Sequence, residues 1–171
     1  MSFVPLPTDS VSGAVKTIDY EHSQVHAGDA YLVNGKHTVA NTVTDYFLLK
    51  NPVANYPHLR VISVTASAGP IDVYFFEGPT TSADGTGQSE INYNRNSLNT
   101  ADLAVYKGPT VSVDGTQLEY LLVTGTKHEA GAGNDGAQTE FILKPSTNYL
   151  LKITNNSGAS ADYALKLFWY E

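Results

Sequence analysis

Apolar and polar residues alternate with a period of two along most of this chain. The run Ala161 to Tyr170 is the clearest case, because every second residue from Tyr163 to Trp169 is a large apolar or aromatic one. A period of two is typical of strands, whereas no segment of ten or more residues has apolar positions at helical spacing. The pattern predicts an all-β fold, a single-domain antiparallel β-sandwich that is jelly-roll-like.

Eleven strands are predicted from these runs. They are Val11 to Glu21, Ala30 to Val33, Lys36 to Ala40, Asp45 to Asn51, Leu59 to Ser67, Ile71 to Phe76, Leu103 to Tyr106, Gln117 to Thr124, Thr139 to Leu143, Asn148 to Asn155 and Ala161 to Tyr170. Two polar stretches, Ala83 to Ala101 and Lys127 to Gln138, are predicted to be surface loops, which is where long connections usually lie.

Two short turn signals separate predicted strands. Asn34-Gly35 follows an apolar run and precedes another, and Asn-Gly favours a tight hairpin because both central residues must adopt a positive φ. Asn155 to Gly158 has the same kind of composition before the last run. We therefore predict one hairpin at Asn34-Gly35 and a second hairpin that closes the sandwich at residues 155–158.

A ten-residue segment occurs twice. Residues 77–86 match residues 107–116 at an offset of 30, with seven identities in ten positions. Each copy follows an aromatic strand end and carries Gly-Pro, which ends a strand, and then Asp-Gly, which favours a turn. The interpretation we favour is two similar strand-to-turn corners. The alternative is a duplicated ligand loop, but only one carboxylate recurs in each copy, Asp84 in the first and Asp114 in the second.

The composition narrows the classes of protein. A length of 171 residues with 42% hydrophobic residues predicts one domain, with an extended N-terminal arm at residues 1–12 and the sandwich at 13–171. A formal charge of -7 would repel a phosphate backbone, so direct nucleic-acid binding is not expected. Apolar runs such as Tyr46 to Leu49 are far shorter than the roughly 20 residues of a membrane helix. The start of the chain lacks the pattern of a cleaved signal peptide.

Residues for catalysis or metal binding do not form a recognisable motif. The chain has no cysteine, and no serine lies in a Gly-x-Ser-x-Gly elbow. His22 and His26 are the closest histidine pair, but on a strand they would lie about 13 Å apart at about 3.3 Å per residue. We therefore predict no catalytic residues, no metal site and no cofactor, and a protein that is not an enzyme. A hydrolase with paired carboxylates stays a weaker alternative, because spacing cannot choose among seventeen acids.

Two segments are candidates for contact with a partner. The first is an apolar, proline-stiffened stretch near the start, which either packs on its own sandwich or reaches a neighbour as an arm. The second is a polar cluster that either forms a loop held by its own asparagines or presents tyrosine and arginine to a partner. The candidate residues are Phe3, Val4, Pro5, Leu6, Pro7, Tyr93, Asn94, Arg95 and Asn96.

Short motifs in the second part of the chain resemble a known family. They are Phe76-Glu77-Gly78-Pro79, Asn94-Arg95-Asn96-Ser97, Tyr106 to Val111, Asp114 to Leu118, Leu143 to Tyr149, Ile153-Thr154-Asn155 and Trp169-Tyr170-Glu171. Together, over roughly residues 60 to 171, they resemble small virion structural proteins of tailed bacteriophages. Several members of that group are β-sandwich or jelly-roll decoration (cement) proteins that trimerise on the outside of the capsid.

The resemblance implies a function without catalytic residues. On this basis we expect a decoration protein on the outer capsid surface, a homotrimer whose second partner is the major capsid protein. The alternative is a carbohydrate- or receptor-binding module of a head fibre or tail, which the tyrosine and asparagine content would suit. Fold alone cannot separate these functions, because sandwiches host both.

Overall fold

The computed structural model describes residues 19–52, 56–124, 131–132 and 140–171. Its one helix within these ranges is α1 (Tyr20–Ala27). The strands are β1 (Ala30–Val39), β2 (Thr44–Lys50), β3 (His58–Ala66), β4 (Ile71–Glu77), β5 (Thr80–Ala83), β6 (Thr86–Gly87), β7 (Ile91–Asn92), β8 (Ala104–Lys107), β9 (Thr110–Val113), β10 (Thr116–Val123), β11 (Gly131–Ala132), β12 (Phe141–Ile142), β13 (Asn148–Asn155) and β14 (Ala161–Tyr170).

The described strands form two antiparallel sheets and a two-stranded ribbon. The first sheet has the order β11-β3-β14-β1-β7, with β12 also beside β3, and the second has the order β10-β4-β13-β2-β8-β6. Strands β1 and β2, β3 and β4, and β13 and β14 follow one another in sequence but lie in opposite sheets. This alternation is that of a jelly roll, so the predicted all-β, jelly-roll-like sandwich is confirmed.

The core lies between the two sheets and is built by the period-two pattern. Inward-facing residues of β14 and β1 meet those of β2, β4 and β13. The largest fully buried side chains include Trp169, Tyr149, Tyr163, Phe47, Leu49 and Leu151. Alternate residues of each central strand reach this layer, which is why the alternation predicted these strands well.

The predicted hairpin at Asn34-Gly35 is wrong. Strand β1 runs without a break through both residues, and its ladder with β14 pairs Asn34 with Lys166 and Gly35 with Leu165. Because Gly35 has no side chain, the ring of His37 lies close by, and a Cβ at residue 35 would come within 3.0 Å of the His37 Nε2 atom. A ten-residue partner strand thus outweighs the local turn preference.

The predicted hairpin at residues 155–158 is also wrong, because the strands on either side of it do not pair. Strand β13 pairs with β2 and β4, whereas β14 pairs with β1 and β3. Gly158 does adopt a left-handed φ of 87°. The turn signal was therefore correct, but the turn leads from one sheet to the other.

Residues 20–27 form a helix, so the predicted strand Val11 to Glu21 is wrong at its end; residues 11–18 lie outside the described residues. The helix begins at a capping residue, Asp19, whose side chain accepts a hydrogen bond from the Glu21 N–H, and it ends at Gly28 in the left-handed conformation. Val25 packs against Phe168 and Tyr170 on the outer face of the first sheet. Capping and contacts with neighbouring elements, among them this one and the ring contact of Tyr20 with Tyr170, hold an eight-residue helix that has no apolar stripe. No helix in the described ranges is long and apolar enough to cross a membrane.

The ribbon of β5 and β9 lies over the outer face of the second sheet. Leu48 and Leu150 occupy that face, opposite one another in the β2–β13 ladder, and both are fully buried although they point away from the core. Asp84 and Asp114, which follow the two ribbon strands, form ion pairs with lysines of the same face. The ribbon thus adds a third layer over the middle of the sheet.

Candidate interaction surfaces

The two copies of the repeat pair with each other. Strand β5 of the first copy is antiparallel to β9 of the second, so the copies form the two halves of the ribbon. Gly78 and Gly108 have φ values of 71° and 73°, and Gly85 and Gly115 have values of 92° and 98°. Equivalent residues therefore adopt equivalent backbone conformations, which supports the interpretation as two similar corners.

The recurring carboxylate of each copy is bound by a lysine. Lys50 Nζ lies 2.7 Å from Asp84 Oδ2, and Lys152 Nζ lies 2.7 Å from Asp114 Oδ2. Both lysines have a raised pKa, chiefly because each donates a hydrogen bond to its aspartate. The two aspartates hold the ribbon on the sheet, and the duplicated corner supplies no convergent ligand set.

The strands under the ribbon share a further likeness, which was not predicted from the sequence. Phe47-Leu48-Leu49-Lys50 of β2 corresponds to Tyr149-Leu150-Leu151-Lys152 of β13. Leu48 and Leu150 face each other at the centre of this ladder, and the repeat copies lie on either side of it. An approximate twofold axis therefore passes through the middle of the second sheet, and a search for shorter repeats would have found this signal.

Strand β10 presents an apolar surface to solvent at the edge of the second sheet. Leu118, Tyr120 and Leu122 occupy alternate positions and are 39%, 44% and 48% exposed. Within the described residues no strand pairs with the second edge of β10. We call these three residues the β10 stripe. Their period of two is visible in the sequence, but only the structure shows that this face points outward.

An open cleft of about 690 Å³ lies at the end of the first sheet where β14 ends and β1 begins. Tyrosines and acidic residues line most of it: Tyr20, Tyr31, Tyr56, Tyr170, Asp29, Asp102 and Glu171. The rings of Tyr20 and Tyr56 are well exposed, at 64% and 59%. We call this feature the tyrosine cleft. Its volume is in the range of sites that bind small molecules.

Carboxylates dominate the electrostatics of the tyrosine cleft. Burial, followed by the charges of Glu171, Asp29, Asp102 and Glu90, raises the pKa of Tyr31 to about 12. Glu171 accepts hydrogen bonds from the Trp169 indole N–H and from two backbone N–H groups of the adjoining loop, at 2.8–2.9 Å. The acidic lining therefore favours neutral or cationic ligands over anions.

A second carboxylate, Glu140, ties one wall of the tyrosine cleft together. It accepts hydrogen bonds from Tyr170 Oη at 2.6 Å and from Arg60 Nη1 at 2.9 Å, and it contacts His58 Nδ1. Burial alone would raise the pKa of Glu140, but the hydrogen bonds from Tyr170 and His58 and the charge of Arg60 outweigh burial and lower it. Glu140 is engaged on both oxygens, so its role in the structure is to fix the wall.

The predicted loop cluster is held by its own asparagines and by α1. Asn94 N–H donates to Asn92 Oδ1, Asn96 N–H donates to Asn94 Oδ1, and Asn94 Nδ2 donates to the His26 carbonyl. The ring of Tyr93 packs edge to face on Phe168, with 4.9 Å between centroids. These contacts agree with the self-stabilised loop; a contact of Tyr93, Asn94, Arg95 and Asn96 with a partner stays a prediction.

The apolar candidates Phe3, Val4, Pro5, Leu6 and Pro7 lie outside the described residues, as does the predicted arm at residues 1–12. Most of the predicted loop from Lys127 to Gln138 lies outside them as well. The other predicted loop, Ala83 to Ala101, includes the short strands β6 and β7. Strand β6 pairs with β8 and β7 pairs with β1, but strands of two residues are too short to show a periodic pattern in the sequence.

His22 and His26 lie on α1 and not on a strand, so the expected separation of about 13 Å is wrong. One helical turn brings their Nε2 atoms to 3.0 Å. Among the described residues, no group of three or more histidines and acids is arranged to hold a metal ion. The spacing of four was the available signal, and the capping residues Asp19 and Gly28 were the signal for the helix.

Comparison with known proteins gives no further assignment. The chain matches no protein-family model and no curated protein sequence.

Proposed function

We propose that the chain is a structural protein of a tailed-phage virion, a decoration protein that binds the outer capsid surface as a homotrimer and stabilises it. The β10 stripe is the observation that carries this proposal. The family resemblance of residues 60 to 171 supports it, and so does a formal charge of -7, which suits the outer face of a shell better than the face lined by packaged DNA.

The β10 stripe has the properties of a contact between copies. An edge strand with an unpaired backbone and apolar side chains is prone to pair with another chain unless something covers it. Aromatic and aliphatic side chains are also the usual centre of protein interfaces. We assign Leu118, Tyr120 and Leu122 to the contact within the trimer.

Trimerisation would increase capsid affinity without a large contact area per copy. Three weak contacts in one assembly act together, and their joint affinity far exceeds that of one contact. The predicted capsid contacts are the segment Phe3 to Pro7 and the loop from Tyr93 to Asn96. Since the protein binds assembled capsid and not free subunits, its stabilisation of the particle grows with occupancy.

The first experiment measures the oligomeric state of the full chain by light scattering. We expect a trimer for the native chain and a monomer for Leu118→Ser/Leu122→Ser. The matched control is Leu98→Ser/Val113→Ser, which removes two exposed apolar residues elsewhere, 96% and 57% exposed, and should leave the trimer intact. A native chain that is monomeric, or a stripe variant that stays trimeric, contradicts the assignment.

The second experiment uses phage particles whose genome encodes this chain, with a stop codon placed in the gene. Purified chain is added back, and its occupancy on the capsid is measured by cryo-electron microscopy together with the temperature at which DNA is released. We expect the native chain to restore both, and deletion of Met1 to Pro7 to reduce occupancy. Undiminished binding would remove the arm from the capsid contact, and absence of capsid density would refute the decoration role.

The tyrosine cleft favours a second candidate function, a carbohydrate-binding module. Exposed aromatic rings can stack on sugar faces, and the carboxylates and the Asn99 amide can bind hydroxyl groups. The test is an array of neutral and anionic oligosaccharides probed with the native chain and with Tyr20→Ala/Tyr56→Ala. Binding of a neutral sugar that this variant loses and Tyr93→Ala keeps would support the second function over the first.

A further inference from the structure

Two histidines of α1 form a pair that neither proposed function uses. His22 and His26 are both exposed, and their rings meet edge to face with 4.6 Å between centroids. Their Nε2 atoms are 3.0 Å apart. Both nitrogens therefore point to the same place on one solvent-facing turn of helix.

The separation of the two nitrogens suits a shared metal ion. Histidine nitrogen binds Zn²⁺ at about 2.0–2.1 Å. Two such bonds that meet at roughly 90–110° place their nitrogens roughly 2.9–3.4 Å apart, by geometry from that bond length. The observed 3.0 Å is the length of a hydrogen bond between the two rings and falls within this range, so one ion that replaces the shared proton can bind both rings on the same helical turn.

We propose that His22 and His26 form a chelating site for one divalent late transition-metal ion, of the class that includes Zn²⁺, Ni²⁺ and Cu²⁺. Imidazole is a preferred ligand of these ions, whereas Mg²⁺ and Ca²⁺ prefer oxygen. The chain supplies two ligands, and water fills the other positions. The site is therefore an open one at the surface.

The helix is held in place before the metal binds. Arg60 pairs with Glu21 at 3.0 Å, and Asn94 Nδ2 donates to the His26 carbonyl at 3.0 Å. Val25, between the two histidines, packs on the first sheet. Because these contacts order the helix beforehand, little of the binding free energy is spent on ordering the two ligands.

The proposal is tested by isothermal titration of the full chain with ZnCl₂ at about pH 7.5, because metal binding requires the neutral form of histidine. We expect one tight zinc ion per chain and at least a roughly tenfold loss of affinity in His22→Ala and in His26→Ala. The matched control is His22→Ala/Gln24→His, which keeps five histidines but separates two of them by two residues, so that their rings face different sides of the helix. This control should bind zinc as weakly as the single variants.

A spectroscopic readout identifies the ligands directly. With Cu²⁺ in place of zinc, electron paramagnetic resonance should detect two imidazole nitrogens in the native chain and one in each single variant. The proposal is wrong if the control binds zinc as tightly as the native chain, or if both single variants retain full affinity. His22 and His26 are exposed and Gln24 is partly exposed, and unchanged urea midpoints without metal verify that each variant is folded. The proposed metal site is independent of the proposed function, because the test uses only the chain and metal ions and needs neither capsid nor sugar.

Discussion

The two copies of the repeat have the same backbone but continue into different strands. In both copies a Gly-Pro step leaves the second sheet, a short strand joins the ribbon, and an Asp-Gly turn returns to the sheet. The first copy continues into β6, which has two residues, whereas the second continues into β10, which has eight and carries the exposed stripe. The residues that recur fix the corners, and the exposed β10 stripe lies where the copies differ.

Charge makes a second difference between the copies. Glu77 begins the first copy and pairs with Lys144 at 2.7 Å, whereas Lys107 begins the second and pairs with Asp45 at 3.1 Å. The charge at this position is negative in the first copy and positive in the second, and the charge of the partner is reversed accordingly. The position therefore requires a neutralised pair on the sheet and not a particular charge, which explains why it is one of the three positions that are not identical.

The largest expected effect comes from the second glycine of each corner. A Cβ at residue 85 would lie 2.3 Å from the Lys107 carbonyl oxygen, and one at residue 115 would lie 2.3 Å from the Glu77 carbonyl oxygen. Both residues also have a positive φ. We expect Gly85→Ala and Gly115→Ala each to lower the free energy of unfolding by about 3 kcal/mol. Urea unfolding followed by the fluorescence of buried Trp169 measures this change.

The first glycine of each corner provides the control. Gly78 and Gly108 have a similar positive φ, but a Cβ added at either residue would have no neighbouring atom within 4 Å. Alanine there should cost only about 1 kcal/mol, the usual cost of a left-handed conformation. If Gly115→Ala were no more costly than Gly108→Ala, the close approach of the two copies would not be what maintains the corners.

A smaller effect is expected from the lysines that bind the two ribbon aspartates. Lys50→Met and Lys152→Met should each cost about 0.5–1 kcal/mol, because these ion pairs are partly exposed to solvent. Both lysines have a pKa above the ordinary 10.5, so their contribution is fully present at neutral pH and is lost as the pH rises beyond 10.5.

The measurement is the difference in urea midpoint between the native chain and each variant, at about pH 8 and again above pH 10.5, the ordinary lysine pKa. The approximate twofold axis predicts similar differences for the two variants at the lower pH. A clear effect of one variant and none of the other would show that the ribbon is held from one side only.

The sequence predicted the central strands because their side chains alternate between core and outer face. Asn148–Asn155 and Ala161–Tyr170 have the predicted bounds, and most other long strands differ by one or two residues. The helix α1 was missed because capping, and not an apolar stripe, determines it. The Asn34-Gly35 turn was wrongly predicted because pairing with β14 is a long-range effect that a local signal does not contain.

The candidate surfaces were harder to predict than the fold. The alternation of Leu118, Tyr120 and Leu122 is visible in the sequence, but it does not say that their face is the outer one. The tyrosine cleft combines residues from α1, β1, β3, β14 and a loop, so no local pattern indicates it. The spacing of His22 and His26 is visible in the sequence, but only a helical conformation brings the two rings together.

The smallest expected effect is a pH dependence of stability at His37, which lies beside the first residue of the second copy and has no counterpart at the first copy among the described residues. His37 Nδ1 lies 3.1 Å from Lys107 Nζ. Glu77, the residue of the first copy that corresponds to Lys107, lies beside Tyr149 instead. Burial and then the charge of Lys107 lower the pKa of His37 below the ordinary 6.5, and Asp45 opposes this in part.

Below pH 6.5 the unfolded chain therefore binds a proton at His37 more readily than the folded chain does, so the native protein should lose stability relative to His37→Phe as the pH falls from about 7.5 to about 5.5. Phenylalanine keeps the ring contacts with Phe47 and Tyr163 and does not titrate. In a Lys107→Met background the loss should be smaller but still present, because burial is the larger cause. A native protein that gained stability relative to His37→Phe as the pH falls over this range would contradict the prediction. It would mean that Asp45 outweighs both burial and Lys107 and raises the pKa of His37.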